Sequence, residues 1–211
     1  MQKILDQILD NLIAGQAGVV KELIAEALVA KISPRDILNQ GLLSGMSIIG
    51  VRFKENQIYV PEVLIAAQAM QAGLEILRPH LATAGVQPAG VAVLGTVKGD
   101  LHDIGKNLVG MMLEGAGFKV IDAGVNVAPA KFIQLAKDNQ ASLIGASALL
   151  TTTMINMREI IAAVKAEGLA GQIKVMVGGA PVTQAFADEI GAQGYAPDAA
   201  SAADLAKQLV G

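Results

Sequence analysis

Apolar residues in the first part of the chain recur with the period of an α-helix. The opening segment places six of them on one helical stripe: Ile4, Leu5, Ile8, Leu9, Leu12 and Ile13. The segment AGVVKELIAEALVAK repeats this pattern. A third helix is predicted to begin with Ser33 as N-cap and Pro34 at its first position, and a fourth to run from Pro61 to Pro79. Four helices with short connections predict a helical bundle over residues 1–85.

After the Ala-, Gly- and Pro-rich segment ATAGVQPAG, short β-rich runs alternate with helical ones. Strands are predicted at 91–95, 118–124, 142–147, 173–179 and 194–197. Helices are predicted from about 104, 129, 153, 181 and 198. Apolar strands that alternate with helices indicate a parallel sheet covered on both faces. Residues 86–211 are therefore predicted to form a flavodoxin-like doubly wound domain, an α/β fold with five parallel strands and a ligand site at their carboxyl ends.

Composition excludes several classes of function. The 211 residues are 53% apolar and 17% charged, which predicts a packed core and not a disordered chain. The net charge of −3 and the lack of a basic run argue against a nucleic-acid surface. Apolar stretches are too short or too interrupted for a membrane span, and acidic residues within the first apolar pattern argue against a signal peptide. Without cysteine there is no disulfide or thiolate metal site, and a cytoplasmic location is expected.

One of the two histidines lies in a glycine-rich segment directly after the first predicted strand, GTVKGDLHDIGKNLVG. His102 is either a loop histidine bonded to solvent or backbone, or a metal ligand. In the second case its other ring nitrogen would donate to a carboxylate, and Asp100 is close enough along the chain to accept. Asp103 is predicted to be a helix N-cap or a first-turn acid.

Other ligand sites fit this segment less well. The dinucleotide fingerprint G-x-G-x-x-G is absent, and Lys106 is followed by Asn107 where a Walker motif needs Ser or Thr. Two histidines without cysteine do not make a typical zinc site. His80, beside Pro79, is predicted to be a helix C-terminal dipole partner or a surface residue.

Two further segments follow predicted strands at the same edge of the sheet. SALLTTT by itself is typical of a strand end with a threonine helix cap, and GGAPV of a turn whose Pro181 starts a helix. The double glycine also lets the backbone approach a bulky ligand closely. All three segments are therefore expected at the carboxyl ends of the strands, along one edge of the sheet that we call the rim.

Together the three segments resemble the cobalamin-binding signature D-x-H-x-x-G, S-x-L, G-G. The matching positions are Asp100, His102, Gly105, Ser147, Leu149, Gly178 and Gly179. Between Gly105 and Ser147 lie 41 residues, and between Leu149 and Gly178 lie 28, gaps that resemble those of the family. Three blocks in order are more specific than any single one.

The resemblance extends to the helical half of the chain. The segment GVRFKENQIYVPEVLIAAQAM is similar to the cap bundle of cobalamin-dependent methionine synthase. The whole chain resembles, still more closely, the free-standing corrinoid proteins of methanogen and acetogen methyltransferase systems. Phe53 and Val60 match the apolar cap residues above the methyl-bearing face of the cofactor.

The resemblance implies cobalamin or a related corrinoid as cofactor. It also implies base-off/His-on binding, in which the cofactor's own nucleotide base leaves cobalt and a protein histidine takes the lower axial position. His102 matches that histidine. Asp100 matches the hydrogen-bond partner of this histidine. Thr153 matches the third residue of a hydrogen-bonded relay that follows His102 and Asp100, at a position where methionine synthase has a serine. The remaining positions match residues near the buried base or the nucleotide tail: Ser147, Thr151, Gly178 and Gly179.

A corrinoid protein of this kind implies partner enzymes. One donor-specific methyltransferase would load a methyl group, an acceptor methyltransferase would pass it to tetrahydrofolate or a thiol, and a reductive activator would restore the cofactor. Two alternatives stay open from sequence: a corrinoid-binding sensor without turnover, and a flavodoxin-like domain with a different ligand.

Overall fold

The computed structural model describes residues 2–211 of the chain. These residues divide into two compact units, one ending at Gln87 and the other beginning at Pro88. The first unit is helical throughout, and the second carries the sheet.

The helical unit contains α1 (Gln2–Ile13), α2 (Ala17–Val29), α3 (Pro34–Asp36), α4 (Ser44–Lys54) and α5 (Val60–Thr83). A π-helical segment, Ile37–Leu43, joins α3 to α4 without a break. The predicted N-cap is confirmed, because the Ser33 hydroxyl accepts the Asp36 N–H at 3.0 Å. The core of this unit is aliphatic and includes Leu5, Ile8, Leu12, Val20, Ile24, Leu42 and Met70.

The fourth predicted helix is longer than expected. It begins at Val60 and does not end at Pro79, so that predicted end was wrong. Proline removes one backbone donor, but the helical pattern resumes beyond it, with the Ala84 N–H donating to the His80 carbonyl at 3.0 Å. Among residues 2–211, α5 is the one helix whose length and composition would allow it to cross a membrane. Several of its side chains are buried within the helical unit, among them Val63, Met70 and Leu77.

The second unit is a five-stranded parallel sheet with helices on both faces. Its strands are β1 (Val91–Thr96), β2 (Lys119–Asp122), β3 (Leu143–Ser147), β4 (Lys174–Gly178) and β5 (Gly194–Tyr195), in the order β2-β1-β3-β4-β5. The helices are α6 (Ile104–Gly115), α7 (Pro129–Asp138), α8 (Ile155–Ala166), α9 (Gln184–Ile190) and α10 (Ala199–Val210). This order is flavodoxin-like. The predicted fold class, a helical bundle followed by a doubly wound five-stranded sheet, is confirmed.

The sheet is held by an apolar core between its strands and the helices α7 and α8. Buried members of this core include Val93, Phe132, Ile144, Met157, Ile160 and Val175. Gly95 makes room for Phe132, since a Cβ at Gly95 would lie 2.6 Å from the end of that ring. Continuous apolar strands were the signal for this arrangement, because both faces of the sheet are covered.

The helix after β4 begins later than predicted. Pro181 does not start it; α9 begins at Gln184 with Thr183 as N-cap, whose hydroxyl accepts the Phe186 N–H at 3.2 Å. A threonine side chain can satisfy a free helix N–H, which proline cannot do. Pro181 therefore lies in the turn that leads from the double glycine to the helix.

The register of the strands sets the position of the rim. Thr96 at the end of β1 lies beside Ser147 at the end of β3, which lies beside Gly178 at the end of β4. The chain leaves β1 and β3 toward opposite faces of the sheet in this strand order, and ligands of such sheets bind at that point. The loops that follow these two strands form the candidate site.

Candidate functional site

The loop between β1 and α6 places a histidine ring against a buried carboxylate. Asp100 is fully buried, whereas the His102 side chain is 52% exposed. The ring nitrogen Nδ1 of His102 lies 2.7 Å from Oδ1 of Asp100. The same oxygen accepts the backbone N–H of His102 at 3.1 Å. Asp100 therefore fixes both the ring and the backbone of this histidine.

The second carboxylate oxygen joins this loop to the loop after β3. Oδ2 of Asp100 accepts the N–H groups of Leu149 and Leu150 at 2.8 Å and 3.1 Å. It also accepts the Thr153 hydroxyl at 2.8 Å. Five hydrogen-bond donors thus surround one buried carboxylate, and the three from the loop after β3 connect the ends of β1 and β3.

These donors keep Asp100 ionised. Burial by itself raises the pKa of the Asp100 carboxyl. The hydrogen bonds that it accepts, from the His102 ring first and then from the Leu149 N–H, outweigh burial and hold that pKa well below its usual range. The carboxylate can only accept, so Nδ1 is the donor, and a histidine in its neutral form then carries the lone pair on Nε2.

The ring therefore offers one nitrogen to a ligand. An imidazole whose other nitrogen donates to a carboxylate is the usual arrangement of a metal-bound histidine. Among residues 2–211 no group of three or more His, Cys, Asp or Glu side chains could hold a metal ion. A metal that already carries most of its ligands, as in a macrocycle, needs only this single nitrogen from the protein.

Exposed apolar side chains lie on the loops bound to Asp100 and at the first positions of the helices that follow them. More than a third of the surface of each is exposed: Leu101, Ile104, Val125, Leu149, Leu150 and Ile155. A concentration of exposed apolar side chains indicates a ligand or partner surface. Of the six, the sequence motif singled out Leu149 alone. The set suits a large, partly apolar ligand, and a corrin ring is one.

The end of β4 comes very close to the end of β3. Gly179 has φ 132°, and a Cβ there would collide with the Ala148 carbonyl oxygen. A Cβ at Gly178 would lie 3.2 Å from the Ala196 carbonyl oxygen. Gly105, in the first turn of α6, has open space around its Cβ position within 4 Å. Gly179 is thus required by the protein's own backbone, whereas a side chain at Gly178 would make only a tight contact.

Gly179→Ala is expected to lower the free energy of unfolding by about 3 kcal/mol, the upper end of the usual cost of a strained backbone, because the collision adds to the strain. Denaturant unfolding of the cofactor-free protein measures this. Gly105→Ala is the matched control, and its unfolding free energy should be unchanged or raised by up to ~1 kcal/mol, since alanine favours a helix. Equal effects of both substitutions would contradict this account.

The structure gives the positions of four further predicted residues, whose roles stay predictions. Ser147 is the last residue of β3, and Thr151 is exposed in the loop that follows. Phe53 lies in α4 and Val60 is the first residue of α5, both in the helical unit.

One of two predicted helix caps is found at its position. Asp103 occupies the predicted N-cap position of α6, although it makes no side-chain cap bond and its Oδ2 accepts the Asn107 amide at 3.1 Å. A threonine cap for the next helix is wrong for Thr153, because α8 begins at Ile155 and the Thr153 hydroxyl lies against Asp100.

Two residues at the site were missed. Thr96 is fully buried, and its hydroxyl donates to the His102 carbonyl at 2.7 Å. Asn126 accepts the Gly99 N–H at 2.8 Å with its side-chain oxygen. A hydroxyl at the end of an otherwise apolar strand was a signal for Thr96, whereas nothing in the sequence pattern pointed to Asn126.

Comparison with known proteins gives matches over both units. Two family models, each described as a B12 binding domain, match residues 90–204 and 4–78. A corrinoid protein of Desulfitobacterium hafniense (strain Y51) is 42% identical over 214 residues, covering 100% of this chain and 99% of its own. Dimethylamine corrinoid protein 3 of Methanosarcina acetivorans is 43% identical over 210 residues, covering 100% and 98%.

Solved structures agree with these matches. A cobalamin-binding protein from Desulfitobacterium hafniense DCB-2 has a TM-score of 0.80 and 29% identity, with 98% of each chain covered. The methanol:cobalamin methyltransferase complex MtaBC from Methanosarcina barkeri contains a chain with a TM-score of 0.87 and 27% identity, covering 99% of this chain and 80% of that one.

Proposed function

Because the chain belongs to the B12-binding corrinoid proteins of methyltransferase systems, we propose that it is a methyl carrier that holds its cofactor through His102. The cofactor is a cobalamin or a related corrinoid. The observation that carries the proposal is the hydrogen-bonded pair of Asp100 and His102, which leaves Nε2 free at the carboxyl end of the sheet. When bound, the corrinoid supplies a cobalt centre that takes up a methyl group and gives it up again.

The residues of the rim have distinct tasks in this proposal. His102 would hold the cobalt through Nε2, in place of the cofactor's own base. Asp100 keeps Nδ1 as the donor and so keeps Nε2 available, and the Thr153 hydroxyl holds the carboxylate in place. No residue of the chain needs to act as nucleophile or general acid, since the group-transfer chemistry belongs to the cofactor.

The remaining rim residues would receive the rest of the cofactor. Gly178 and Gly179 keep side chains away from the nucleotide tail. Ser147 ends β3 and Thr151 lies in the loop that follows, where the displaced base is proposed to be buried. Leu149 and the other exposed apolar side chains of the rim offer a surface for the corrin ring.

The relatives favour a methylamine as the source of the methyl group. Several that are 42–43% identical over almost the whole chain are named dimethylamine corrinoid proteins. We place this chain beside a methylamine-specific methyltransferase as donor partner, an acceptor methyltransferase acting on a thiol or tetrahydrofolate, and a reductive activator. The cytoplasmic location predicted from sequence belongs to the same proposal.

Reconstitution followed by a transfer assay tests the proposal. Protein refolded with hydroxocobalamin should retain the corrinoid through gel filtration. After reduction, it should accept a methyl group from dimethylamine in the presence of a dimethylamine-specific methyltransferase, and less from methanol with a methanol-specific one. Retained corrinoid without transfer from any donor would favour the sensor, and loss of the corrinoid would contradict the proposal altogether.

The helical unit is proposed to shield the reactive cofactor, with Phe53 and Val60 among the shielding side chains. An apolar cover excludes water and stray nucleophiles from a reactive group. Phe53→Ala should therefore speed air oxidation of the reduced, reconstituted protein several-fold, as followed by absorbance. Val29→Ala, which changes an apolar residue 83% exposed on the same unit, is the control and should leave the rate unchanged. Equal rates for all three proteins would remove Phe53 from this role.

A further inference from the structure

His102 lies on the segment 97–103, which connects β1 to α6 without a helix or strand of its own. Its side chain is 52% exposed, so packing against neighbouring side chains does not by itself fix the ring. A binding group that is in place before its ligand arrives binds more tightly than one that must first be ordered. The contacts that fix the backbone of this segment therefore affect the affinity of His102 for a metal.

Thr96 ties the backbone of His102 to the sheet. Its buried hydroxyl donates to the His102 carbonyl at 2.7 Å, six residues further along the chain. Thr96 is itself fixed, because its N–H donates to the Gly124 carbonyl and its carbonyl accepts the Val127 N–H, both at 2.9 Å. A short bond from a buried strand residue thus sets the height of His102 above the end of β1.

Asn126 holds the same segment from the loop after β2. Its side-chain oxygen accepts the Gly99 N–H at 2.8 Å, and its backbone N–H donates to the Asp100 carbonyl at 2.9 Å. Asn126 has φ 53°, a left-handed conformation that asparagine tolerates better than most residues with a side chain. Both the side chain and the backbone conformation of Asn126 are therefore used to hold the turn before His102.

We propose that Thr96 and Asn126 are positioning residues for the metal ligand, which place His102 before the corrinoid binds. Asp100 sets the orientation of the imidazole, whereas Thr96 and Asn126 hold the backbone that carries both Asp100 and His102. This inference rests on the proposed function, in which His102 binds the metal of the corrinoid. It adds two residues that affect cofactor affinity through hydrogen bonds to the backbone of this segment, and not through hydrogen bonds to the cofactor.

Thr96→Val tests the first contact, because valine has nearly the same shape and lacks the hydroxyl. The dissociation constant for the corrinoid is expected to rise ~10-fold, the lower end of the effect of losing a partner of a metal-bound histidine, because Thr96 bonds to the backbone of His102 and not to its ring. Thr96→Ser keeps the hydroxyl and should restore most of the affinity. Ser142→Ala removes a hydroxyl from the opposite end of the sheet, where it lies 3.4 Å from the Val91 carbonyl, and should leave the affinity unchanged.

A measurement on the cofactor-free protein separates positioning from general stability. With ¹⁵N-labelled histidine at about pH 9, well above the ordinary histidine pKa of ~6.5, NMR reports which ring nitrogen carries the proton. His102 of the parent protein should be protonated at Nδ1, against Asp100. Thr96→Val should increase the fraction of His102 rings that are protonated at Nε2, because the hydrogen bond between Nδ1 and the Asp100 carboxylate is no longer well aligned. His80, in the last turn of α5, serves as the internal reference.

Asn126 is tested by a pair of substitutions that separate its two features. Asn126→Gly keeps the left-handed backbone and removes the side-chain acceptor, whereas Asn126→Asp keeps an acceptor for the Gly99 N–H. The glycine variant should bind the corrinoid more weakly, by several-fold, and the aspartate variant should resemble the parent protein. This order separates loss of the contact from relief of backbone strain.

The inference is overturned if Thr96→Val and Asn126→Gly bind the corrinoid as tightly as the parent protein, with the same protonated nitrogen in His102. A lower unfolding midpoint with those two readouts unchanged would also overturn it, since the residues would then be structural only. Failure of the proposed function looks different. In that case the parent protein itself, loaded with corrinoid, shows no histidine nitrogen bound to cobalt.

Discussion

Replacing His102 by alanine is expected to remove the histidine nitrogen from cobalt. In the reconstituted protein reduced to Co(II), electron paramagnetic resonance should lose the splitting caused by a histidine nitrogen. Corrinoid affinity should fall at least ~10-fold, about 1.4 kcal/mol. The reason is that Nε2 of His102 is the one ring nitrogen of this rim that its hydrogen bond to Asp100 leaves free for a metal.

The chain has two histidines, which makes the control simple. His80→Ala removes the other one, which is exposed in the last turn of α5, and should leave the spectrum unchanged. Labelling both histidines with ¹⁵N should change the splitting in the parent protein from three lines to two, because the nuclear spin changes. A splitting that ignores the label would come from the cofactor's own base and would contradict His102 as the ligand.

The fold and the position of the rim could be predicted because they depend on regular patterns. Continuous apolar strands that alternate with helices imply a parallel sheet, and the carboxyl ends of such strands meet at one edge. Asp100 and Thr153 are 53 positions apart in the chain. Asp100 follows β1 and Thr153 follows β3, and these two strands are neighbours in the sheet. Their meeting at 2.8 Å follows from topology once the motif has been recognised.

The contacts made by the backbone could not be predicted in the same way. The N–H groups of Leu149 and Leu150 bind Asp100, but every residue has an N–H and no side-chain pattern marks these two. Thr96 meets the carbonyl of His102 because the intervening loop turns back on itself. Asn126 matters because of its left-handed backbone. Each of these depends on loop conformation, which leaves no periodic signal.

The exposure of individual apolar side chains could not be predicted from the sequence either. Leu101 and Ile104 have the composition of core residues and are 71% and 77% exposed on either side of His102. The helix α5 shows a second error. Pro79 was predicted to end this helix because proline disrupts helical hydrogen bonding, but the helical contacts on both sides of Pro79 outweigh that effect. Local rules fail at such positions because the surrounding structure or a ligand decides them.

Asp100→Asn is expected to lower the free energy of unfolding of the cofactor-free protein by ~3–5 kcal/mol at pH 7, the usual cost of breaking a buried charged network. An amide has one oxygen to accept hydrogen bonds, and its NH₂ group would face donors such as the Leu149 N–H or the His102 ring. Corrinoid affinity should fall as well, by ~10–100-fold. Denaturant unfolding and a corrinoid titration measure the two effects.

The pH dependence of this cost identifies its cause. The pKa of Asp100 is held well below its usual range in the folded protein, so its carboxylate stabilises the fold fully above the ordinary aspartate pKa of ~3.9. That stabilisation is lost as the pH falls below this value toward the lower folded pKa. The part of the difference in unfolding free energy between the parent protein and Asp100→Asn that comes from this carboxylate should therefore be present in full at about pH 5 and shrink toward pH 3.

Asp103→Asn is the matched control, since Asp103 is an exposed carboxylate of the same loop. Its effect should stay within ~0.5 kcal/mol, as for most surface substitutions. Thr153→Val, which removes one of the five donors to Asp100, should lie between the two. If the cost of Asp100→Asn were the same at pH 3 as at pH 7, it would come from the shape of the amide and not from the lost charge. The carboxylate would then not be the group that holds the two loops of this rim together.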